Sequence, residues 1–233
     1  SLAFPLLLVP QLGLIRTGFL FGLMNAAVAV WALWLFRHEL PRWREFAGAC
    51  ALVGALLAAG MAGAGQITSL AEERLYQDRI AYAETTPYQR IVVTSGRAGL
   101  RLFLNGNLQF AQRDEYRYHE ALVHPAMAAQ GAPRRVAVLG GGDGMAVREI
   151  LKYPSVQSVT LVELDPAMTR MFRDTPQLAQ LNGGALSNPK VHIVNTDAFQ
   201  WLQQDTDTYD VVVVDFPDPT NFAIGKLYTN SFY

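Results

Sequence analysis

The sequence predicts an α/β protein with a doubly wound, mostly parallel sheet, preceded by a small antiparallel β-unit and at least two transmembrane helices. Four short β-branched runs each end at or just before an acidic residue, and the first is followed by the glycine-rich turn GGGDG. Two apolar stretches of membrane-spanning length precede them. Continuous runs of this kind are typical of strands buried on both faces of a sheet.

Two apolar segments near the start of the chain, at about residues 14–36 and 46–65, are long enough to cross a bilayer. The alternative is a pair of buried helices in a soluble core, but a helix of a soluble protein normally keeps a polar stripe. We therefore expect residues 1–68 to form a membrane domain. The chain begins without a methionine and stops in a polar stretch, so we expect a fragment cut at both ends.

The second apolar segment carries a stripe of small residues. Gly54, Ala58 and Ala62 recur four residues apart, a spacing that lets another helix approach closely. Cys50 lies in the same segment and is the only cysteine of the chain. An internal disulfide and a cysteine metal cluster are therefore excluded.

Residues 69–112 predict the small antiparallel β-unit. The strand-like runs in this region lie at residues 89–94, 100–104 and 108–110. The Asn105-Gly106 pair between the last two favours a hairpin turn with positive φ. From Asp114 the pattern becomes helical, and Asp114 is a candidate N-cap.

Residues 113–233 predict the α/β domain, which we expect to be incomplete at its C-terminal end. Its strand-like runs lie at residues 136–139, 159–162, 191–194 and 211–214. Helical patterns at residues 145–152 and 166–181 separate the first three runs, which indicates a βαβαβ order with right-handed crossovers. Ligands bind outside the carboxyl ends of such strands. Four acids should therefore meet at one edge: Asp143, Glu163, Asp197 and Asp215.

Each motif taken singly has a simpler interpretation. The GGGDG turn fits a site for NAD, flavin or S-adenosylmethionine equally well. Glu163 could be a surface acid at a strand end, and Asp197 could be only a helix N-cap. His119 and His124 are more often hydrogen-bonded structural groups than ligands. With no third ligand in register, a metal site is not predicted.

Seven motifs in order resemble the spermidine synthase family of polyamine aminopropyltransferases. The motifs are YQRIVV at 88–93, LNGNLQ at 104–109, DEYRYHE at 114–120, GGGDG at 140–144, LVELD at 161–165, DAF at 197–199 and DFPDP at 215–219. The apolar segments resemble the membrane-anchored bacterial branch of that family. The resemblance implies a Rossmann-like fold of the S-adenosylmethionine-dependent transferase type.

The resemblance implies transfer of the aminopropyl group of decarboxylated S-adenosylmethionine to a diamine such as putrescine, giving spermidine and methylthioadenosine. The donor is a cosubstrate, and no tightly bound cofactor is expected. It is a dication without a carboxylate, so Asp143 in the turn would attract its propylammonium and repel the carboxylate of S-adenosylmethionine. Two alternatives stay open: an S-adenosylmethionine-dependent methyltransferase, and a non-enzymatic membrane protein that binds or transports polyamines.

The resemblance also assigns roles to individual residues. Asp215 corresponds to the catalytic base. The donor-binding positions are Gln89, Asp143, Glu163, Asp197 and Ala198, with Glu163 on the ribose and Asp197 and Ala198 on the adenine. The positions that hold the acceptor or orient the base are Tyr118, His119 and Asp218. Met145, Phe216 and Pro217 depart from the usual family pattern.

The expected partners are a small cationic amine and a lipid bilayer, and a homodimer is compatible with the resemblance. Acids slightly outnumber basic residues after Gly65 and no basic tract occurs, so nucleic acid is not an expected partner. Arg37, Arg42 and Arg44 join the apolar segments, and the positive-inside rule would place that loop in the cytoplasm. Because the donor is made in the cytosol, we nevertheless expect a multi-pass protein of the bacterial inner membrane with a cytoplasmic catalytic domain.

Overall fold

The structure, a computed structural model, describes residues 8, 12–67, 75–76, 78–219 and 222–233. The chain divides into two compact units, Ser1–Ile80 and Ala81–Tyr233. The predicted boundary between residues 68 and 69 lies outside the described residues. Residues of the predicted β-unit from 81 onward belong to the same compact unit as the α/β domain.

The first unit contains two long apolar helices, α1 (Leu14–Leu35) and α2 (Trp43–Ala62). By length and composition, residues Ile15–Leu35 and Trp43–Ala62 are long and apolar enough to cross a membrane. Most of their large apolar side chains are exposed. The second helix begins three residues before the predicted apolar segment, so its first turn includes Arg44 and Glu45.

The two helices run antiparallel and meet at two glycines. A Cβ on Gly22 would lie 3.0 Å from Leu57 Cδ2, and a Cβ on Gly60 would collide with the Phe19 ring. A Cβ on Gly54 would meet no atom within 4 Å. At Gly54, the predicted stripe of small residues therefore does not contact α1, and the approach of another helix to the stripe stays a prediction.

An antiparallel sheet follows along the chain, and its strands pair in chain order. Its first strand begins two residues before the second unit. Its strands are β1 (Arg79–Thr85), β2 (Arg90–Gly96), β3 (Gly99–Leu104) and β4 (Asn107–Ala111). The β3–β4 hairpin turns at Asn105 and Gly106, with φ of 51° and 83°, as predicted. Strand β1 was not predicted, because its sequence RIAYAET has only one β-branched aliphatic residue.

The rest of the unit is an α/β fold. Its elements are α3 (Glu115–Gln130), β5 (Arg135–Gly140), α4 (Met145–Ile150), β6 (Ser158–Glu163), α5 (Pro166–Asp174), α6 (Pro176–Leu181), β7 (Val191–Asn195), α7 (Ala198–Gln204), β8 (Val211–Asp215) and α8 (Phe222–Gly225). The four strands are parallel, in the order β7-β6-β5-β8. The order reverses between β5 and β8, which makes that edge the expected ligand site.

One detail of the predicted helices is wrong, and a second is confirmed in position but not in its hydrogen bond. The single helix predicted over residues 166–181 is broken at Thr175, which is extended (φ −89°, ψ 114°) because Pro176 follows it. Asp114 stands at the N-cap of α3, but its side chain accepts no capping hydrogen bond. Asp197 does cap α7, since its carboxylate accepts from the Phe199 N–H.

The parallel sheet has a hydrophobic cluster on each face. On β5, Val136 and Val138 belong to the larger cluster, which includes residues of β2, β3, α3, α4 and α5. Leu139, which points the opposite way, belongs to a second cluster with Val162 and Ala198. Both faces of the sheet therefore carry packed apolar residues, although Val212 of β8 is exposed on the side of the second cluster.

Candidate active site

The glycine turn after β5 brings the backbone against two acidic side chains. Gly141 has φ of 69°, and a Cβ there would lie 2.8 Å from Asp215 Oδ2. A Cβ on Gly142 would lie 2.7 Å from Glu163 Cγ. Only glycine leaves room for the ends of β6 and β8 to approach the turn this closely.

A cavity of about 540 Å³ opens at this edge of the sheet. It is lined by the turn, by the ends of β6 and β8, by residues of the antiparallel sheet and its loops, and by the segment around Lys226. The acids that line it are Asp143, Glu163, Asp165, Asp197 and Asp215. The sequence prediction that four acids meet at one edge is confirmed.

Asp143 is buried at the base of the cavity, with 8% of its surface exposed. One oxygen accepts a hydrogen bond of 2.9 Å from the Met145 N–H. The pKa of Asp143 is raised to about 6, mainly by burial; His119 opposes this rise, and the charge of nearby Asp215 acts in the same direction as burial. The carboxylate is thus held in a place where a cation would stabilise its ionised form.

Glu163 lies at the end of β6 and is fixed by two backbone groups. Oε2 accepts from the Gly142 N–H at 3.0 Å, and Oε1 accepts from the Asp165 N–H at 2.9 Å. Burial nevertheless dominates and raises the pKa of Glu163 to about 7. The side chain is therefore oriented by the turn that it faces.

Asp215 ends β8 and pairs with Gly140 of β5 in the parallel register. The Tyr118 hydroxyl donates a hydrogen bond of 2.8 Å to Asp215 Oδ1. Burial raises the pKa of Asp215, and the hydrogen bond from Tyr118 opposes that rise. Burial and the same carboxylate raise the pKa of Tyr118, so the tyrosine is a donor here and not a base.

The side chain of His119 lies close to the carboxylates of Asp143 and Asp215. Each of the three offers one ligand atom, and the three atoms lie within 4.8 Å of one another. Strand ends therefore bring carboxylates close to His119 that helix spacing cannot reveal. The expectation that no metal binds here stays a prediction. Glu120, His124 and Glu149 form a second such group, but Arg148 and Lys152 already bind the Glu149 carboxylate.

Gln89 lines the cavity and is held by Asp165, a residue to which the sequence assigned no role. The Gln89 amide donates to Asp165 Oδ2 at 3.1 Å, and the Thr86 hydroxyl donates to the same oxygen at 2.7 Å. Asp165 Oδ1 caps α5 through the Ala167 N–H. The Asp-Pro pair at the start of α5 was the available signal for a cap.

Asp197 and Ala198 line the cavity where α7 begins. Lys226 Nζ lies 2.5 Å from Asp197 Oδ2, an ion pair that the sequence did not predict. Lys226 comes 29 residues later in the chain, so no local pattern connects the two. A ligand that binds this oxygen of Asp197 has to compete with Lys226.

The remaining positions singled out in the sequence are Asp218, Phe216, Pro217 and Met145. Asp218 is exposed and, unlike the other predicted site residues, does not line the cavity. Phe216 and Pro217 do line it, and the Tyr228 hydroxyl lies within hydrogen-bond distance of both carbonyl oxygens, at 3.2 and 3.0 Å, where it can share its one hydrogen. Met145 is fully buried in the larger hydrophobic cluster.

Comparison with known proteins identifies relatives of this fold and site. Residues 115–233 match the family model described as the spermine/spermidine synthase domain. The chain is 57% identical over 237 residues to polyamine aminopropyltransferase 2 of Ralstonia nicotianae and 50% identical over 233 residues to the polyamine aminopropyltransferase of Leptospira interrogans. Both matches cover 100% of this chain, but they cover only 46% and 47% of the length of the two relatives. The chain thus spans about half the length of the curated relatives it matches.

Two solved structures share the fold. A spermidine synthase in complex with the transition state analogue AdoDATO matches with a TM-score of 0.62 and 32% identity, over 66% of this chain and 52% of the other. The spermidine synthase from Thermotoga maritima matches with a TM-score of 0.55 and 30% identity, over 59% of this chain and 48% of the other. The antiparallel sheet followed by the parallel sheet is therefore a spermidine synthase fold.

Proposed function

The chain belongs to the spermine/spermidine synthase family, and from this premise we propose that the intact protein transfers the aminopropyl group of decarboxylated S-adenosylmethionine to a diamine. Putrescine is the proposed acceptor, with spermidine and methylthioadenosine as products. The observation that carries the proposal is the Tyr118–Asp215 pair, which lies beside buried Asp143 in a cavity lined by five acids. Decarboxylated S-adenosylmethionine is consumed as a cosubstrate.

The charge of the cavity favours this donor. Five carboxylates line it, together with the ammonium group of Lys226 and the imidazole of His119. The donor carries a sulfonium and a propylammonium but no carboxylate, so it offsets the cost of burying these acids. S-adenosylmethionine would bring its own carboxylate toward Asp143, which is electrostatically unfavourable.

The reaction in this proposal is an in-line displacement. The acceptor nitrogen forms a bond to the propyl carbon next to the sulfonium, and the carbon–sulfur bond breaks with its electron pair going to sulfur. The leaving group is the neutral thioether methylthioadenosine. An alkylammonium has a pKa of about 10, so the attacking nitrogen has to lose a proton first.

Asp215 is the proposed general base for that proton. Its raised pKa makes it a better proton acceptor than an exposed aspartate. The Tyr118 hydroxyl would keep the accepting carboxylate oriented while the other oxygen faces the amine. Methylthioadenosine leaves without protonation, so no general acid is required.

Donor recognition in this proposal is divided among the other acids. Asp143 would hold the propylammonium, Glu163 the ribose hydroxyls, and Asp197 with Ala198 the adenine. Gln89 would contact the donor near sulfur. Tyr118 and His119 would act on the acceptor side, together with Asp218, which the family motif assigns there.

Asp215→Asn tests the assignment of the base. We expect kcat for methylthioadenosine release to fall by about 100- to 10,000-fold, the usual contribution of a general base, with donor affinity nearly unchanged. Asp174→Asn, at an exposed residue at the end of α5, is the matched control. Full turnover by Asp215→Asn would remove this residue from the base role.

Calorimetry with two donors tests the reaction class. We expect decarboxylated S-adenosylmethionine to bind at least ten times more tightly than S-adenosylmethionine, because only the second places a carboxylate near Asp143. Preference for the carboxylated donor would instead favour methyl transfer. A protein that binds polyamines without releasing methylthioadenosine would be a binding or transport module.

The two apolar helices support a membrane location. Most of their large apolar side chains, Trp31 and Trp34 among them, are exposed, and lipid is the partner that covers such surface at least cost. We propose a multi-pass protein of the bacterial inner membrane with its catalytic unit in the cytoplasm. Protease cleavage of the catalytic unit from the outer face of intact cells would overturn this orientation.

A further inference from the structure

A buried ion-pair network lies behind His119. Glu115 is one helical turn before His119 on α3, and 9% of its side chain is exposed. Arg148 of α4 donates two hydrogen bonds to it, Nη1 to Oε1 at 2.9 Å and Nη2 to Oε2 at 3.1 Å. This paired geometry fixes the plane of the carboxylate as well as its charge.

Arg148 is itself held on two further sides. Its Nη1 donates to the Leu181 carbonyl at 2.7 Å, and its Nε donates to Glu149 Oε1 at 3.0 Å. A guanidinium with these partners has little freedom to turn. The Glu115 carboxylate is therefore a rigid feature of the α3–α4 contact.

The contacts of His119 settle the position of its ring hydrogen. Nδ1 lies 2.9 Å from the Glu115 carbonyl oxygen and 2.8 Å from Glu115 Oε2. Both of those atoms can only accept, so Nδ1 has to carry the hydrogen. In the neutral ring the lone pair is then on Nε2.

Nε2 is the ring nitrogen left for the cavity. His119 is 2% exposed, and it lines the cavity with Asp143 and Asp215. A ring carrying a hydrogen on Nε2 would compete with substrate N–H groups for the two carboxylates. A ring with a lone pair on Nε2 adds a third acceptor, and a primary ammonium offers three donors.

We infer that Glu115, clamped by Arg148, is a positioning residue that keeps His119 in its Nδ1–H form, so that Nε2 accepts an N–H of a substrate amino group beside Asp143 and Asp215. The inference rests on the proposed function for the identity of that amine. Glu115 touches no substrate and acts only through His119. Its role is to keep the ring a hydrogen-bond acceptor.

Glu115→Gln tests the inference by kinetics. The new amide can turn its NH₂ group toward Nδ1, and this contact favours the tautomer with its hydrogen on Nε2. We expect kcat/KM to fall by about 10- to 100-fold, as for loss of a hydrogen bond to a charged group. Glu120→Gln on the same helix, at an exposed residue, should change it less than twofold. The melting temperature of each variant separates this loss from unfolding.

A double-variant cycle separates positioning from a merely structural role. If Glu115 acts through His119, Glu115→Gln should cause almost no further loss in a protein that already carries His119→Gln. A structural role would give the same fold-loss in both backgrounds. Additive losses would overturn the inference.

Nitrogen NMR of labelled histidine tests the tautomer without reference to activity. The chain has 4 histidines, and comparison with His119→Gln assigns the ring of interest. We expect the hydrogen on Nδ1 in the intact protein, and a shift toward Nε2–H in Glu115→Gln. A His119 ring with its hydrogen on Nε2, or on both nitrogens at pH 8, overturns the inference. Absence of aminopropyl transfer by the unmodified protein would overturn the proposed function alone.

Discussion

The Tyr118 hydroxyl and Asp215 Oδ1 lie 2.8 Å apart, although 97 positions separate the two residues in the chain. Tyr118 comes from the first turn of α3 and Asp215 is the last residue of β8. The hydrogen bond therefore connects helix α3 with strand β8. Strand β8 borders the point at which the strand order of the parallel sheet reverses. The effect of this hydrogen bond on the pKa of Asp215 and on catalysis can be measured in a Tyr118 variant.

Tyr118→Phe removes the hydrogen bond that favours the ionised form of Asp215. The pKa of Asp215 should then rise further, because burial already raises it and only Tyr118 and His119 oppose that rise. We expect the acidic limb of the kcat/KM profile to move to higher pH and kcat to fall by about tenfold. Tyr116→Phe is the control, since the Tyr116 hydroxyl contacts only Arg117 among the contacts described. An unmoved acidic limb would contradict the prediction.

Asp143→Asn should stabilise the protein and impair donor binding. Burial raises the pKa of Asp143 to about 6, above its unfolded value of 3.8, so the folded state binds more protons than the unfolded chain between these values. Stability contributed by this group is therefore present at low pH and lost as the pH rises through 6. Asparagine removes the charge, which is worth about 2 to 3 kcal/mol for a shift of this size.

The measurement for Asp143→Asn is the melting temperature without added substrate at pH 4 and pH 8. We expect a higher melting temperature than the unmodified protein at pH 8 and little difference at pH 4, together with loss of the preference for the decarboxylated donor. Asp174→Asn is the control because Asp174 is exposed and its pKa is lowered by Arg173. A variant less stable than the parent at pH 8 would show that Asp143 has a stabilising partner.

Lys226→Met should free the carboxylate of Asp197. The ion pair is partly exposed, with 39% of the Lys226 side chain accessible, so it contributes at most about 1 kcal/mol. We expect KM for the donor to fall by up to about fivefold with kcat unchanged. Lys190→Met serves as the control, since Lys190 binds the Val156 carbonyl away from the cavity. A rise in KM would mean that Lys226 helps to hold the donor.

Gly142→Ala should displace Glu163 from the turn. A Cβ at this position lies 2.7 Å from Glu163 Cγ, closer than side chains approach in folded proteins. We expect KM for the donor to rise by about tenfold or more, since the ribose contact and the Gly142 hydrogen bond are both disturbed. Gly225→Ala, where a Cβ meets nothing within 4 Å, is the matched control. Equal effects of the two substitutions would refute the close-packing argument.

Much of the fold could be predicted because its signals are local. The β-branched runs, the glycine turn and the Asn105-Gly106 hairpin each depend on a few adjacent residues, and all are present in the structure. Strand β1 escaped prediction because pairing with β2, and not its own residues, makes it a strand. The break before Pro176 has a signal in the sequence, because the residue before a proline is biased toward extended backbone. The helical pattern on either side nevertheless predicts one continuous helix.

The sequence by itself determined that acids stand at the ends of parallel strands, since strand direction and chain order bring Asp143, Glu163 and Asp215 to one edge. Only the tertiary structure decided what each acid contacts. The bonds from Tyr118 to Asp215, from Lys226 to Asp197 and from Arg148 to Glu115 join separate elements. Such contacts depend on how helices pack on the sheet, which sequence periodicity does not specify. Burial there sets the pKa of each carboxylate, and burial is a property of the packed chain.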